Sequence, residues 1–521
     1  MTRRLTVLTL AALLCVAAAA PSKKEAADLL VVNAHLVTMD VGFSVLNPGG
    51  MAVRAGRILS VGPSADVAKR YSSRSVYDAA GKIVLPGLVN THTHAAMTLL
   101  RGLADDLPLD RWLTEHIFPA EGKNVSPEFV YDGTLLAALE MIRGGTTTFA
   151  DMYYFESDAA RAVEKAGLRA VLGETFIDFP VPDHKDLPET LAFMRAFVKR
   201  WKGHPRITPA AAPHAVFTCS KETLLAARDF AQREGIPILI HVAETKKELD
   251  DARQKWQKSP FLYLASLGFF DAAPSGGRVP ILAAHAVWMD EQDRALVKQY
   301  GVGLSHNPES NMKLASGIAD VSAWQREGLL WSIGTDGPAG SNNDLSMFEA
   351  MDFAGKLGKV STNDPTVLPA REIVAAATRG GARALGLDGK IGSLERGKQA
   401  DFIAVETRRA HIQPFEDVYS ALVYSVKASD VTDVWVDGRP LYSGGRALTL
   451  DQRKVRDAAV RWRVRVRESL RPAAGGRFDP IRAKPAHAAA LAGRFRRGVA
   501  RFAMGCCVTA ACSRPAAWRG R

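Results

Sequence analysis

Cysteine is scarce in this sequence. The 521 residues include five cysteines, and only Cys219 lies away from the two end segments. Cys15 belongs to an apolar stretch near the N-terminus, and Cys506, Cys507 and Cys512 lie close to the C-terminus. Small secreted folds held by disulfides carry many spaced cysteines. The body of this chain is therefore predicted to depend on a buried apolar core, for which 47% hydrophobic residues suffice.

Long apolar runs are also missing, with one short exception at residues 5–20. That run follows Arg3 and Arg4 and ends in alanines before a polar segment. A membrane-spanning helix needs about 20 apolar residues. A basic start followed by a shorter apolar run with small residues at its end is typical of a secretion signal. We therefore predict a signal peptide over residues 1–20, a secreted or periplasmic protein, and no transmembrane segment after signal removal. The alternative interpretation is an anchor that stays attached to the membrane.

Acidic residues are absent after Asp479, although the whole chain carries 55 of them against 67 lysines and arginines. The net charge of +12 is therefore concentrated in a basic tail. We predict that residues 447–521 form this tail, helical in part and disordered in part. An anionic membrane or nucleic acid could attract it. Because interleaved aromatics and a folded motif are missing, no specific nucleic-acid partner is expected.

Between the ends, short β-branched or apolar runs alternate with helix-like segments. Strand-like runs at 28–82 and 390–446 predict one composite β-domain built from both terminal segments. The stretch 83–389 contains eight such runs, and eight βα units close a (β/α)₈ barrel. The runs begin near Ile83, Thr146, Arg169, Ile207, Pro237, Val279, Gly301 and Trp331. We therefore predict an α/β fold, a distorted (β/α)₈ barrel with a small flanking β-sandwich.

Polar side chains follow seven of these eight runs at their C-terminal ends, where a barrel places its active site. They are His92, His94, Asp151, His214, His241, His285, His306 and Asp336. Residues two apart on a strand face the same side, so His92 and His94 can reach one ion. With His241 and Asp336 they make a set of three imidazoles and a carboxylate. Such a set suits zinc, the expected metal, or ferrous iron as the alternative.

The ordered motifs PGLVNTHTH, HVAE, SHNPESNMKLASG and GTDGPAGSNN resemble the amidohydrolase superfamily over roughly residues 28–445. The resemblance is closest to the branch of methylthioadenosine and S-adenosylhomocysteine deaminases and triazine hydrolases. It implies one divalent metal ion held by four side chains, His92, His94, His241 and Asp336. A bridging lysine, common in binuclear relatives, is missing from the segment RITPAAAPH before His214.

The same resemblance implies roles for further residues. Glu244 matches the proton-transferring acid/base, His285 the residue that orients the attacking water, and Asp336 a ligand that also serves catalysis. Substrate contacts are implied for Glu121 and His214, and also for Glu244 and Asp336, with Trp112 as a wall of the pocket. His306 and Asn307 are expected either behind the site or in a turn, since Asn-Pro is a turn signal.

These residues predict a hydrolytic deaminase that acts on an adenine nucleoside, namely methylthioadenosine, S-adenosylhomocysteine or adenosine. Water activated by the ion would attack the ring and release ammonia. Two alternatives remain: an aminohydrolase or chlorohydrolase acting on triazine, guanine, cytosine or another heterocycle, and a non-catalytic scaffold. The loop 337–343 is one residue longer than the usual form, which leaves Ser341 open as a ring contact. The expected partner is a small heterocyclic substrate, and the sequence leaves homo-oligomerisation open.

Overall fold

The computed structural model of the chain describes residues 24–272 and 276–471. The predicted signal peptide at 1–20 and the predicted tail beyond residue 471 lie outside these ranges. Residues up to Ser469 form one unit, and the fold below is that of this unit. Within the described ranges, none of the helices combines the length and the apolar character that crossing a membrane requires.

Eight parallel strands form a barrel in which each strand pairs with the next one along the chain. Nearly every residue in them is buried, and most are alanine, valine, isoleucine, leucine or threonine, as expected when both faces of a parallel sheet are covered. The predicted (β/α)₈ fold is confirmed. The strands are Leu88–Thr93, Thr146–Tyr153, Arg169–Phe176, Ile207–Pro213, Ile238–Val242, Ile281–His285, Gly303–His306 and Trp331–Ile333.

The first and eighth strands meet through a few bonds instead of a regular ladder. The amide N–H of Asp336 donates to the His92 carbonyl (2.9 Å), and the Thr91 hydroxyl donates to the Ile333 carbonyl (3.0 Å). The Asn90 amide donates to the Thr335 hydroxyl at 2.8 Å. These bonds hold the segments that carry His92 and Asp336 against each other, so the irregular closure of the barrel lies at the candidate site.

Helices connect the barrel strands and surround them. Several begin at a capping side chain that accepts a backbone N–H, as Ser126, Asp186, Ser220, Thr245 and Asp290 do. The helices of the barrel region are Ala95–Leu100 (3-10), Leu109–Arg111, Trp112–Ile117 (π), Phe118–Asn124, Pro127–Arg143, Glu156–Ala166, Leu187–Trp201, Lys221–Glu234, Lys246–Trp256, Pro260–Ser266, Glu291–Tyr300, Pro308–Lys313, Val321–Glu327, Met347–Thr362, Ala370–Ala375, Ala376–Gly380 (π) and Gly381–Ala384.

A separate nine-stranded sheet combines strands from both terminal segments of the described chain. Its core includes Val31, Met51, Phe402 and Trp435, and the last two stack with ring centroids 4.5 Å apart. In sheet order the strands are Arg446–Ala447, Arg439–Ser443, Val431–Val436, Phe402–Val405, Ile83–Pro86, Leu29–Val37, Val45–Arg54 and Arg57–Pro63, with Val76–Asp78 beside Leu29–Val37. Glu25–Ala26 and Tyr71–Ser72 form a two-stranded sheet. Smaller helices near these strands are Ser64–Arg70, Val418–Ser420, Ala421–Ser425 (π) and Ala428–Asp430 (3-10).

The run that begins at Ile83 differs from the prediction because two sheets share it. Ile83–Pro86 pairs with strands of the nine-stranded sheet, and the first barrel strand begins at Leu88. Gly87 stands between them, where a Cβ atom would lie 2.1 Å from the Thr147 hydroxyl oxygen. Pro86 lacks an N–H and Gly87 lacks a side chain, so the chain can leave one sheet and enter the other within one residue.

Arg169 joins the barrel to the nine-stranded sheet. This buried residue begins the third barrel strand and forms ion pairs with Asp401 at 3.0 Å and Asp437 at 2.7 Å. Burial alone would lower the pKa of the guanidinium, but the two carboxylates raise it above its usual value. A buried cation with two anionic partners is held in its charged form.

The part of the predicted basic tail that the structure describes contains the helix Gln452–Ser469. Trp462 anchors it to the barrel helix Pro127–Arg143, because the indole N–H donates to Asp132 at 2.9 Å and the ring packs edge-on against Phe129. This portion of the predicted tail therefore packs on the barrel.

Candidate active site

Three imidazoles and one carboxylate meet at the C-terminal ends of the barrel strands. Nε2 of His92 and Nε2 of His94 lie 3.2 and 3.3 Å from Oδ1 of Asp336. Nε2 of His241 lies 3.4 Å from Nε2 of His94. The structure thus brings together all four side chains proposed as ligands, from the first, fifth and eighth strands.

The backbone orients two of these imidazoles through their other ring nitrogen. Nδ1 of His94 donates to the Met152 carbonyl (2.6 Å), and Nδ1 of His241 donates to the His214 carbonyl (2.8 Å). Each donation fixes the tautomer in which Nε2 carries a lone pair, as in metal-binding histidines. Nε2 of the buried His92 faces Asp336 but makes no hydrogen bond to any described residue. A divalent cation would satisfy these converging lone pairs, so the donor set fits one.

Asp336 is held in an unusual backbone conformation. Its φ is +65°, and its two carboxylate oxygens accept from the Gly337 N–H (2.7 Å) and the Ser310 hydroxyl (2.6 Å). Burial would raise its pKa, but the imidazoles of His92 and His94 beside it hold this pKa well below the usual range. His285, at φ +71°, also lies in the left-handed region. Strain of this kind is stored where surrounding contacts fix a functional side chain.

Glu244 and His285 lie beside the cluster. Nε2 of His285 is 3.9 Å from Oε2 of Glu244 and 3.9 Å from Oδ2 of Asp336. Nδ1 of His285 pairs with the Asn311 side-chain oxygen at 3.0 Å. Burial raises the pKa of Glu244. Glu248 accepts the Glu244 N–H at 2.8 Å and so fixes the backbone that presents this carboxyl group.

A pocket opens onto these groups. Its lining combines apolar side chains with the polar cluster: His94, Leu109, Trp112, Leu113, His214, Phe217, His241, Glu244, His285, Leu314, Asp336 and Ser341. Trp112 is therefore a wall of the pocket, fixed by donation from its indole N–H to the Ala339 carbonyl at 3.1 Å. The Ser341 hydroxyl donates to the Gly337 carbonyl at 2.7 Å. His214 faces the pocket with Nδ1 against the Thr218 hydroxyl (2.9 Å), and burial lowers its pKa to about 3.

Glu121 occupies a different position from the other predicted substrate contacts. It is buried, accepts the Tyr153 hydroxyl at 2.8 Å, and is not among the residues that line the pocket. Burial raises its pKa to about 7, and the Tyr153 bond partly opposes that shift. A ligand therefore reaches Glu121 only if this carboxyl group or its surroundings move.

Asp151 and His306, also singled out at strand ends, lie behind the site. Asp151 accepts the Thr93 hydroxyl and the Ala95 N–H at 2.8 and 2.7 Å, which positions the segment that holds His94. His306 is buried, and none of the residues that the structure describes forms a hydrogen bond with its Nδ1. Asn307 precedes the short helix Pro308–Lys313.

Sequence reasoning missed the supporting roles of Ser310, Asn311 and Glu248. The first two stand on one short helix and bind Asp336 and His285. Their signal is the motif SHNPESNMKLASG, which contains Ser310 and Asn311 directly after His306 and Asn307. Glu248 lies four residues after Glu244 at the start of a helix, a position that reads as an ordinary N-terminal acid.

A (β/α)₈ barrel with a metal-type donor set at its strand ends and a second sheet from the terminal segments defines a metal-dependent hydrolase. The chain belongs to the amidohydrolase family, whose model matches residues 83–441.

Individual relatives are similar along almost their whole length. The chain is 44% identical over 437 residues to a 5-methylthioadenosine/S-adenosylhomocysteine deaminase of Thermodesulfovibrio yellowstonii, covering 84% of this chain and 98% of the relative. It is 44% identical over 435 residues to a 5'-deoxyadenosine deaminase of Methanosarcina mazei, covering 83% and 97%. The crystal structure of an adenosine deaminase from Xanthomonas campestris with bound zinc superposes with a TM-score of 0.82 at 38% identity, covering 86% and 100%.

Proposed function

We propose that this enzyme is a hydrolytic deaminase that converts the adenine ring of a nucleoside to the hypoxanthine form and releases ammonia. The observation that carries the proposal is the convergence of Glu244, His285 and Asp336 in the pocket, next to three imidazoles. The names of relatives at 44% identity support the nucleoside class.

We propose that the catalytic centre holds one zinc ion, bound by His92, His94, His241 and Asp336. The unpartnered Nε2 of His92 and the backbone-oriented rings of His94 and His241 support this set. When bound, such an ion lowers the pKa of water toward neutrality. Zinc in the related adenosine deaminase structure supports this metal over iron.

The chain's own side chains then position the water and move its protons. The 3.9 Å separations of His285 from Glu244 and Asp336 are spans that one water bridges. His285 orients this water while Glu244 accepts one of its protons. The water oxygen bonds to the ring carbon that bears the amine. Glu244 delivers the proton to the amine nitrogen, the carbon–nitrogen bond breaks, and ammonia leaves.

Recognition of the nucleoside is assigned to the residues around this centre. Trp112, Phe217 and Leu314 give the pocket apolar walls for a flat ring. His214 is positioned to bond the purine edge. Glu121 is assigned to the ribose hydroxyls, in exchange for its bond to Tyr153.

Ammonia release from a substrate panel tests the proposed reaction. The zinc-loaded enzyme should deaminate methylthioadenosine, S-adenosylhomocysteine or adenosine faster than guanine, cytosine or a triazine. Free adenine should be a poor substrate, because groups that bond the ribose would be left unpaired. Glu121→Ala should reduce kcat/KM for the nucleoside far more than for a ribose-free heterocycle. Faster turnover of triazines or guanine than of every nucleoside would reject the substrate class.

We also propose that the protein is exported, on the strength of Arg3, Arg4 and the apolar run at 5–20. N-terminal sequencing of protein from the native cell should give a mature chain that begins near Pro21. Soluble cytoplasmic protein that retains Met1 would reject this proposal.

A further inference from the structure

A second group of ionisable side chains lies buried in the barrel and belongs to neither the pocket nor the ligand set. Glu156 begins the helix that connects the second and third barrel strands, and Glu174 lies on the third strand. Asp183 and His184 lie in the loop before the helix that begins at Leu187. Glu156 and Glu174 are 0% exposed and His184 is 2% exposed. Side chains this polar are almost never buried unless they are paired or bind a metal.

In each of the two central carboxylates, of Glu174 and Asp183, only one oxygen accepts a hydrogen bond from the backbone. Oε2 of Glu174 accepts the Glu156 N–H at 3.0 Å, and Oδ2 of Asp183 accepts the Phe155 N–H at 2.7 Å. Within the described ranges, Oε1 of Glu174 and Nε2 of His184 have no hydrogen-bond partner. Oδ1 of Asp183 lies 2.8 Å from Nδ1 of His184, a direct contact between the two side chains.

The side chains of Glu174, Asp183 and His184 bring potential metal-binding atoms close together. One ligand atom from each of Glu174, Asp183 and His184 lies within 4.8 Å of the others. The candidate catalytic centre is similar, since it too brings buried donor atoms together and leaves one of them, Nε2 of His92, without a hydrogen-bond partner among the described residues. Burial and then the charge of Asp151 raise the pKa of the neighbouring Glu156 well above its usual value.

We propose that Glu174, Asp183 and His184 bind a second divalent cation. Two carboxylates and one imidazole suit Zn²⁺ or Mn²⁺. A cation neutralises negative charge that is otherwise buried and occupies the unpartnered atoms. A proton shared between Glu174 and Asp183 is the competing explanation, but among the described residues it leaves Nε2 of the buried His184 without a partner.

The position of this cation indicates a structural role. It would tie the third strand and the helix start at Glu156 to the loop that contains Asp183. Phe179 in the same loop packs edge-on against Phe118, with ring centroids 5.4 Å apart. Phe118 begins the helix that carries Glu121. Occupancy of the second site would therefore order the loop that supports the proposed ribose contact.

Metal counting on the full chain tests the proposal. Chelator-stripped protein is titrated with Zn²⁺ and, separately, with Mn²⁺, and bound metal is measured after gel filtration. The unsubstituted chain should retain two equivalents of Zn²⁺, whereas Glu174→Gln and His184→Gln should each retain one. His241→Ala should retain one at the second site, and His241→Ala with Glu174→Gln none. Asp293→Asn is the matched control, since this buried carboxylate has both oxygens partnered and should leave the count at two.

Two further measurements separate metal binding from folding. Zn²⁺ should raise the Tm of His241→Ala, and this increase should vanish when Glu174→Gln is added. Anomalous scattering at the zinc edge should show a peak between Glu174, Asp183 and His184 in the unsubstituted chain, which decides the matter if a variant fails to fold. No more than one equivalent of each metal in the unsubstituted chain, two equivalents in Glu174→Gln, or no anomalous peak between the three side chains would overturn the proposal. None of these results depends on the deaminase activity.

Discussion

Individual hydrogen bonds distinguish the side chains at the barrel mouth that are suited to bind a metal from the one that is suited to transfer a proton. His94 and His241 each use one ring nitrogen on a backbone carbonyl and present the other to the centre. Glu244 is not bound in this way and approaches His285 only to 3.9 Å. A side chain free to exchange partners can transfer a proton, whereas one fixed by two bonds is better suited to hold an ion.

Replacing Glu244 by glutamine should therefore separate proton transfer from metal binding. The amide keeps the size of the carboxyl group but cannot accept and deliver a proton, so we expect kcat to fall about 10²-fold or more. Metal content should be unchanged. Ammonia-release kinetics together with metal analysis checks this, with the exposed Glu349→Gln as control. Unchanged turnover with metal retained would remove Glu244 from the mechanism.

At this scale the sequence predicted ligands better than their supports. His92 and His94 were predictable because alternate residues of one strand face the same side. The bond between Glu121 and Tyr153 was not predictable, because it depends on how a helix packs on a strand. The positive φ of Asp336 and His285 was equally hidden, since neither residue type requires it.

Among the elements, the short helix Pro308–Lys313 supports the candidate active site through Ser310 and Asn311. The same helix carries the buried carboxyl group of Glu309. Glu309 accepts from the Asn342 side chain at 3.2 Å. Burial, followed by the charges of Asp344 and Glu349, raises its pKa from 4.5 to about 9. This carboxyl group is protonated in the folded chain at a pH where the unfolded chain has lost the proton.

Stability should therefore depend on pH through Glu309. Because the folded pKa lies above the unfolded value, its contribution is fully present below about pH 4.5 and is lost as pH rises toward about 9. Glu309→Gln keeps an oxygen for Asn342 and cannot ionise. We expect similar Tm values for variant and parent at pH 5, and a gain of about 1 kcal/mol or more for the variant at pH 9.

Thermal unfolding over this pH range measures the effect. Glu349→Gln is the control, since it leaves Glu309 able to ionise and should retain most of the pH slope. Parallel Tm curves for Glu309→Gln and the parent would show that Glu309 has an ordinary pKa.

Element boundaries were less predictable than element types. The alternation of strands and helices indicated the barrel, because parallel strands are buried on both faces and read as apolar runs. The division at Gly87 was missed because Ile83 and Leu88 look alike in sequence. The Pro-Gly dipeptide between them is the available signal, and the crowding of Gly87 against Thr147 shows why the glycine is needed there.

Over the whole molecule, Arg169 links the barrel and the nine-stranded sheet by charge. Arg169→Met should destabilise the folded chain by about 3–5 kcal/mol, because it leaves Asp401 buried without its cation. Arg169→Met combined with Asp401→Asn should recover part of that loss. Urea unfolding of both variants checks the prediction, and a loss below about 1 kcal/mol in the single variant would contradict it.

Strands from both terminal segments of the described chain share one sheet, and this affects how the chain can fold while it is being translated. Arg57 donates to the carbonyl of Gly397, 340 residues further along the chain. At about 5–20 residues per second, a ribosome needs roughly 20–70 s to make that stretch. The N-terminal strands thus emerge long before their partners exist, with unpaired edges that favour aggregation. We expect the nascent chain to depend on chaperones over this interval, and the sheet to close only when translation is nearly finished.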